Sequence, residues 1–386
     1  MQTTKQRLLS LDFFRGLTVA AMILVNNPGN WGHIYGPLEH SDWNGCTPTD
    51  LIFPFFLWIV GVSIAFAMGT GKSDPSLHKK IILKAIKRGL VLYLLGFFLA
   101  IFFKIVSAFV DGTEVWNAFQ TVRIMGVLQR IGIVFIISSL LFIKLSTKNI
   151  LRVFVGILIL YWLLMCFVPV PGVGFANMEK ETNLAAWIDR GVLTTAHTWA
   201  LSITWDPEGV LSTLPAIATC LFGVLVGVYI RRKEIDTPTK ITWLFAIGTL
   251  CAIAGLIWDL QFPINKALWT SSYVLYTGGL ATIAFALCYW LIDVQGYKKF
   301  TTPFVIYGVN AITVFFLSSF IPRLLNLIKV TNNKGVRDGL LVHFYQRFYV
   351  PYFSPINASV VWAVSYVLAF YVLLWFMYKK NIIIKV

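Results

Sequence analysis

The sequence predicts an all-α, polytopic bundle of about ten transmembrane helices with both termini in the cytoplasm. Of the 386 residues, 58% are hydrophobic and 13% are charged, whereas about a quarter are charged in soluble domains. The apolar residues form runs of roughly 20, the length that a helix needs to cross the hydrocarbon core. Most of the cations lie between these runs. Helices are expected because a lipid-exposed backbone must satisfy its own hydrogen bonds.

We predict ten spans and treat residues 1–386 as one integral-membrane domain. Asp12 and Arg15 interrupt the first apolar run, so we expect it to stay as an anchor and not to be cleaved as a signal peptide. The predicted spans are 11–28, 50–70, 84–106, 124–143, 150–168, 211–230, 241–259, 270–292, 303–328 and 358–378.

The orientation follows from the loop cations. With the N-terminus inside, 21 of the 32 Lys and Arg residues lie on the cytoplasmic side and 10 on the opposite side, as the positive-inside rule predicts. The net charge of +15 therefore belongs to the loops, and no basic domain suggests a nucleic-acid partner. The loops predicted to be external, 29–49, 171–210 and 329–357, are long enough to carry a binding site.

Polar residues within spans are the first functional candidates, because they are costly in lipid. Asp12 and Arg15 lie three apart on one helical face, either as a neutralising pair or with Arg15 meeting a phosphorylated cofactor. In the run 122–130, Arg123 and Arg130 are seven residues apart, which in a continuous helix puts them on one face. Arg123 could snorkel to the interface, whereas Arg130 needs an anionic or carbonyl partner such as a phosphate.

The loop 29–49 carries the best candidate for a catalyst. His40 suits the role of general base at neutral pH. Asp50 is either a helix N-cap or a carboxylate that orients the His40 imidazole. His33 and His40 do not have the spacing of metal ligands, so we expect no metal site.

Three further sets of polar residues have two interpretations each. Asp206 and Glu208 form either a simple turn or a pair of carboxylates that binds a cationic amine. Lys266 and Trp269 belong either to an interfacial turn with an aromatic anchor or to the mouth of a site. Asn310 is a buried amide that serves helix packing or lines a site.

Several of these motifs occur together in one order, and in that order they resemble the heparan-α-glucosaminide N-acetyltransferase family and its bacterial relatives. The similarity extends over almost the whole chain. The motifs are Leu11-Asp12-Phe13-Phe14-Arg15-Gly16, Val25-Asn26, His40-Ser41-Asp42-Trp43-Asn44-Gly45, Asp50-Leu51-Ile52-Phe53-Pro54-Phe55, residues 122–132, Asp206-Pro207-Glu208-Gly209, residues 265–274 and Tyr307-Gly308-Val309-Asn310.

This resemblance implies an enzyme that transfers acetyl from cytoplasmic acetyl-CoA to the amino group of a glucosamine across the membrane. It implies that His40 is catalytic with Asn26 close by, and that co-substrate or site-lining groups include Arg123, Gln129, Arg130 and Asn310. It also implies a bacterial inner membrane protein. The expected partners are acetyl-CoA, an amino-sugar acceptor and membrane lipid, and a homodimer is left open.

Two alternatives remain at this point. A transporter of amino sugars would also have polar groups in broken spans, although no inverted repeat is apparent. An acetyltransferase could act on a cell-wall sugar or on a hydroxyl acceptor. For the enzyme, direct transfer and an acetyl-histidine intermediate both remain open, because histidine can act as base or as nucleophile. We favour direct transfer.

Overall fold

A computed structural model describes residues 8–331, 335 and 337–384. The predicted cytoplasmic chain ends fall in residues 1–7 and 385–386, outside the described residues, as do residues 332–334 and 336 of the predicted external loop 329–357. Within the described residues the chain forms fourteen α-helices and one short antiparallel ribbon. The predicted all-α fold is therefore confirmed.

The elements follow one another along the chain with short connections. The helices are α1 (Leu9–Asn26), α2 (Ile52–Lys72), α3 (His78–Asp111), α4 (Val115–Gln120), α5 (Val127–Lys144), α6 (Thr147–Phe167), α7 (Leu184–Leu193), α8 (Thr213–Ile230), α9 (Thr237–Asp259), α10 (Ser271–Tyr289), α11 (Thr302–Val309), α12 (Ala311–Asn326), α13 (Leu340–Phe348) and α14 (Pro355–Lys379). Strand β1 (Lys329–Thr331) pairs with β2 (Arg337–Gly339), with Lys329 opposite Gly339.

The predicted spans correspond to long apolar helices. Across the part of the chain that the structure describes, nine segments are long and apolar enough to cross a membrane, or ten if one bent pair is counted as a span. Each of the ten predicted runs overlaps one of these segments or the bent pair. The prediction of a polytopic bundle is thus supported helix by helix.

The predicted span 303–328 is not one straight helix. The chain bends by 80° between α11 and α12, at Asn310, whose backbone is not helical (φ −116°, ψ 36°). The Asn310 amide donates to the carbonyl of Ile382 at 3.1 Å and accepts from the backbone N–H of Ile384 at 3.0 Å. This side chain therefore joins the C-terminal segment to the bend.

The described residues group into two compact units. Unit 1 contains the described residues of Met1–His40, Thr47–Phe53 and Phe285–Val386. Unit 2 contains Ser41–Cys46 and Pro54–Ala284.

In unit 1, α1 packs closely against α11. A Cβ atom added to Gly16 would lie 1.6 Å from the carbonyl oxygen of Phe304, and one added to Gly308 would lie 2.3 Å from the carbonyl oxygen of Asp12. Only glycine allows two helix backbones to approach this closely. The Asp293 carboxylate accepts from the backbone N–H of Leu9 and of Ser10, at 3.3 and 3.0 Å, and so caps the start of α1.

In unit 2, glycine again sets the helix spacing, between α2 and α8. A Cβ on Gly61 would lie 1.9 Å from the carbonyl oxygen of Cys220, and one on Gly223 would lie 1.9 Å from that of Trp58. A core packs α6 and α7 against the loop before α10; its buried residues are Tyr161, Met165, Val170, Leu184, Ala185, Phe262 and Leu268. This core supports the loop that carries Trp269.

Candidate functional site

In unit 1, His40 and Asp50 form a hydrogen-bonded pair. The Nδ1 atom of His40 lies 2.6 Å from Oδ1 of Asp50. The Asp50 side chain is fully buried, whereas 47% of the His40 side chain is exposed. The imidazole is thus bonded to a buried carboxylate, while about half of its surface is exposed to solvent.

Asp50 also closes the turn that precedes α2. Its Oδ2 atom accepts from the backbone N–H of Thr47 at 3.0 Å and lies 3.1 Å from the Thr47 hydroxyl oxygen. Thr47 is therefore the N-cap, and Asp50 is the third residue of a capping box on the 3₁₀ turn Pro48–Leu51. Asp50 therefore takes part in capping, as predicted, but the N-cap residue itself is Thr47.

The tautomer of His40 follows from this bonding. A buried carboxylate cannot donate when it is ionised, so Nδ1 of His40 carries the proton, and the basic lone pair is on Nε2. A carboxylate in this position fixes the ring orientation and stabilises the imidazolium that forms when Nε2 takes a proton. The arrangement suits His40 to proton abstraction.

The remaining predicted residues of unit 1 lie at three places. Asn26 is exposed in the last turn of α1. Arg15 donates to Asp12 at 3.0 Å in the first half of α1, which is the predicted intrahelical pair. Asn310 uses its amide on the backbone of residues 382–384, as described above. The structure brings His40 and Asp50 together, and it shows the other three in separate local settings.

In unit 2, Arg123 binds both carboxylates of the 206–209 turn. Its Nε and Nη2 atoms donate to the two oxygens of Asp206 at 2.8 and 2.5 Å, and Nη2 also donates to Oε2 of Glu208 at 2.5 Å. Asp206 is 2% exposed and Glu208 is 6% exposed. The prediction that Asp206 and Glu208 bind a cationic amine therefore needs correction, because both carboxylates are already paired with the Arg123 guanidinium.

The prediction that Arg123 and Arg130 project from one face of a continuous helix is wrong. Residues 122–126 are not helical, and α5 begins at Val127 after Gly126, whose backbone is fully extended. The two guanidiniums nevertheless reach the same turn. Arg130 donates to the carbonyl of Gly209 at 3.1 Å and to the hydroxyl of Ser212.

The charges of this turn stabilise one another. Burial lowers the pKa of Arg123, but the nearby carboxylates of Glu208 and Asp206 outweigh it and raise the pKa. Burial opposes ionisation of Glu208, yet Arg123, Arg130 and Lys266 keep its pKa below the usual value. At Asp206 burial dominates and raises the pKa. Arg123 and Glu208 are therefore both charged at neutral pH.

Arg130 is the most deeply buried cation of the turn. It is fully buried, and within the described residues its Nε and Nη1 atoms have no hydrogen-bond partner. Its guanidinium lies 5.2 Å from the ring centroid of Trp269, a cation–π contact. Unpaired buried N–H groups of this kind suit an oxygen acceptor, either of a ligand or of water.

Trp269 is a buried residue that contacts Arg130, and it is not an aromatic anchor at the membrane interface. Only 1% of it is exposed, and its indole N–H donates to the Thr219 hydroxyl at 3.0 Å. Its backbone lies in the left-handed region (φ 55°), which costs a non-glycine residue energy and is often found at functional sites. Of the two predictions, the interfacial anchor is wrong.

The two remaining predicted residues of unit 2 are Gln129 and Lys266. Gln129 is buried on α5 against α3, where a Cβ on Gly96 would lie 2.3 Å from its Oε1 atom. Lys266 is partly buried and contributes to the low pKa of Glu208.

Asp189 was not predicted from the sequence, but it bonds to the same turn as Arg123. It lies in α7, is 2% exposed, and accepts from the backbone N–H of Asp206 at 3.1 Å and of Val210 at 2.8 Å. Burial raises its pKa to about 6. The one sequence signal was the apolar spacing of α7, which makes an acidic residue on its buried face unusual.

Comparison with known proteins adds the family. A model described as "Heparan-alpha-glucosaminide N-acetyltransferase, catalytic" matches residues 7–248, well over half of the chain. The chain belongs to this N-acetyltransferase family. The match includes every predicted site residue except Lys266, Trp269 and Asn310.

Two curated members of the heparan-α-glucosaminide N-acetyltransferase family are similar over most of the chain. The protein named heparan-alpha-glucosaminide N-acetyltransferase from Homo sapiens is 28% identical over 357 residues, which cover 80% of this chain and 52% of that protein. The protein of the same name from Mus musculus is 29% identical over 365 residues, which cover 81% and 53%. The chain thus spans about half the length of the curated relatives that it matches.

Proposed function

We propose that this chain is a transmembrane acetyltransferase that moves acetyl from cytoplasmic acetyl-CoA to the amino group of a glucosamine-type sugar on the other side of the membrane. The observation that carries the proposal is the pair of a half-exposed His40 and a fully buried Asp50. Membership of a family whose curated relatives are named for this reaction supports the substrates. Many apolar helices support the setting in a membrane.

In this mechanism His40 is the general base. Its Nε2 atom takes a proton from the amine as the amine nitrogen attacks the thioester carbonyl, and Asp50 stabilises the resulting imidazolium. The C–N bond forms, the C–S bond breaks, and the departing thiolate takes the proton from Nε2. An amide N–H such as that of Asn26 suits the role of donor to the developing oxyanion. We propose direct transfer. The role of general base accounts for the pairing of His40 with Asp50, and it requires no acetyl-histidine intermediate.

Arg130 is the residue of unit 2 that we assign to the acetyl-CoA co-substrate. Its two buried nitrogens without a partner fit an oxygen acceptor such as a carbonyl or phosphate. Asp206 and Glu208 already bind Arg123, so we assign to them the positioning of Arg123 and not the capture of the amine.

The test is acetyl transfer by the purified protein in lipid, with acetyl-labelled CoA and a panel of amino sugars. We expect one glucosamine-type sugar to be acetylated. His40→Ala should lower turnover by about 10²–10⁴-fold, the usual contribution of a general base, while CoA binding stays measurable. Asp50→Asn should lower turnover by a smaller factor, since it removes only the support of the base.

His33→Ala is the matched control, because His33 is an exposed histidine of the same loop. It should retain full turnover. A His40→Ala protein that turns over normally would remove His40 from the role of base. Sealed vesicles that accumulate labelled amino sugar with no acetyl-CoA present would instead favour the transporter.

A further inference from the structure

Unit 1 contains a small apolar cleft at the C-terminal end of α1. It lies between the last turns of α1, the loop 28–38 and the first turns of α14. Its walls include Val25, Leu38, Ile356, Val360 and Ala363. Val25 directly precedes Asn26, and Leu38 is two residues before His40, so two of the wall residues are close in the chain to residues that the proposed mechanism uses.

The two hydroxyls that line the cleft are already bonded. Tyr35 donates to Oδ1 of Asn357 at 2.6 Å. The Ser359 hydroxyl donates to the carbonyl of Asn30 at 3.2 Å and accepts from its backbone N–H at 3.1 Å. A sugar hydroxyl or a charged group placed here would lose water without gaining a partner, which is costly. The cleft therefore suits an alkyl group.

The cleft is also small. Its interior has room for about one water-sized group. A methyl group is of this size, and a longer acyl chain or a pyranose ring is not. Among the atoms that take part in an acetyl transfer, the acetyl methyl is the one that is both apolar and small enough.

The chain keeps one wall residue of this cleft, Leu38, close to His40. Leu38 is the last residue of a 3₁₀ turn, and Glu39 is extended (φ −91°, ψ 158°). The Cα atoms of Leu38 and His40 are at most about 7.6 Å apart. The hydroxyl of Thr47 donates to the Glu39 carbonyl at 2.5 Å and holds this segment to the turn that carries Asp50.

We propose that this cleft receives the methyl end of the acyl group that is transferred at His40, and that it restricts the donor to acetyl. The inference rests on the proposed function and adds to it the residues that set acyl-chain length. It changes no bond of the transfer. The residues of the cleft act by shape alone.

The experiment compares acetyl-CoA with propionyl-CoA as donors to the same amino sugar. In the unchanged protein, one extra methylene should lower kcat/KM about 10–200-fold. Val360→Ala should enlarge the cleft and reduce this preference by roughly tenfold. Ala363→Leu should fill it and lower acetyl transfer, with KM for the amino sugar unchanged.

Two control variants lie on the same helix but outside the cleft. Val364 is 44% exposed, and Ala369 is exposed on α14. Val364→Ala and Ala369→Leu repeat the same chemical changes and should leave the donor preference unaltered. An effect of these controls equal to that of the cleft variants would overturn the inference.

The outcomes separate this inference from the proposed function. If no donor is used with any amino sugar, the proposed function fails. If acetyl is transferred and Val360→Ala leaves the donor preference unchanged, only the cleft assignment fails. A lipid chain in the cleft would give that second result, with a change in thermal stability in lipid but none in donor preference.

Discussion

Asp189 joins α7 to the turn that holds Arg123. It does so as a buried carboxylate with two backbone N–H donors, yet burial still raises its pKa to about 6 from a usual value of 3.8. A difference of about two pKa units corresponds to about 3 kcal/mol between the two protonation states. Keeping Asp189 ionised at neutral pH therefore lowers the stability of the folded protein.

The sign of this cost gives a pH prediction. Because the pKa of Asp189 is higher in the folded than in the unfolded protein, its contribution to stability falls as pH rises from about 4 to about 6, and is constant above about 7. Asp189→Asn removes this titration. The melting temperature of the variant relative to the unchanged protein should therefore rise across that pH range and then level off, as measured by thermal unfolding in detergent.

The control is Asp42→Asn, which removes an exposed carboxylate. A pH dependence that both variants share would reflect the loss of a negative charge and not the burial of Asp189. A constant difference for Asp189→Asn would contradict the assignment of a raised pKa to Asp189. Glu208 titrates in the opposite sense, since its pKa is lowered, and its contribution is lost only as pH falls below the usual range for glutamate.

At the scale of elements, the packing of α1 on α11 depends on two glycines that allow backbone contact. Gly16→Ala places a Cβ 1.6 Å from the Phe304 carbonyl oxygen, so the helices must separate. We expect a loss of about 1–3 kcal/mol, typical of overpacking, seen as a lower melting temperature in detergent.

Gly156 on α6 provides the matched control. A Cβ added there meets nothing within 4 Å. Gly156→Ala should leave stability unchanged or raise it by about 0.5–1 kcal/mol, because alanine loses less backbone entropy in a helix than glycine. Equal destabilisation by the two substitutions would show that the contact of α1 with α11 is not limiting.

The sequence predicts helices better than it predicts their breaks. Hydropathy is a local property, so the apolar runs locate the spans, and the predicted run 211–230 agrees within two residues with the helix Thr213–Ile230. The bend at Asn310 depends on backbone groups of residues 382 and 384, more than seventy positions away, and no local pattern contains it. The same holds for Arg123, which pairs with carboxylates 83 and 85 positions later.

The predicted site residues divide in the same way. His40 and Asp50 are ten residues apart in one loop and turn, and the chemistry of each residue type suffices to suggest the pair. Trp269 was ambiguous because a tryptophan near the end of a span is typical of an interface. Its burial follows from α8, which supplies the Thr219 hydroxyl, and from the Arg130 guanidinium.

At the scale of the whole molecule, the distribution of Lys and Arg predicts the orientation of the chain in the membrane. The turn after α2 and the α6–α7 loop are separated in sequence by three long apolar helices, α3, α5 and α6, so they should lie on opposite sides. The turn after α2 is flanked by Lys72, Lys79 and Lys80, so the positive-inside rule predicts that this turn is cytoplasmic.

Cysteine labelling tests this orientation directly. In a variant without the five native cysteines that still transfers acetyl, Ser73→Cys and Glu181→Cys each place one thiol at an exposed position. A membrane-impermeant maleimide should label position 181 in intact cells and position 73 only in inverted vesicles. The opposite pattern would place the 171–210 loop in the cytoplasm, and the proposed route of acetyl from a cytoplasmic donor to an external acceptor would then have to be reversed.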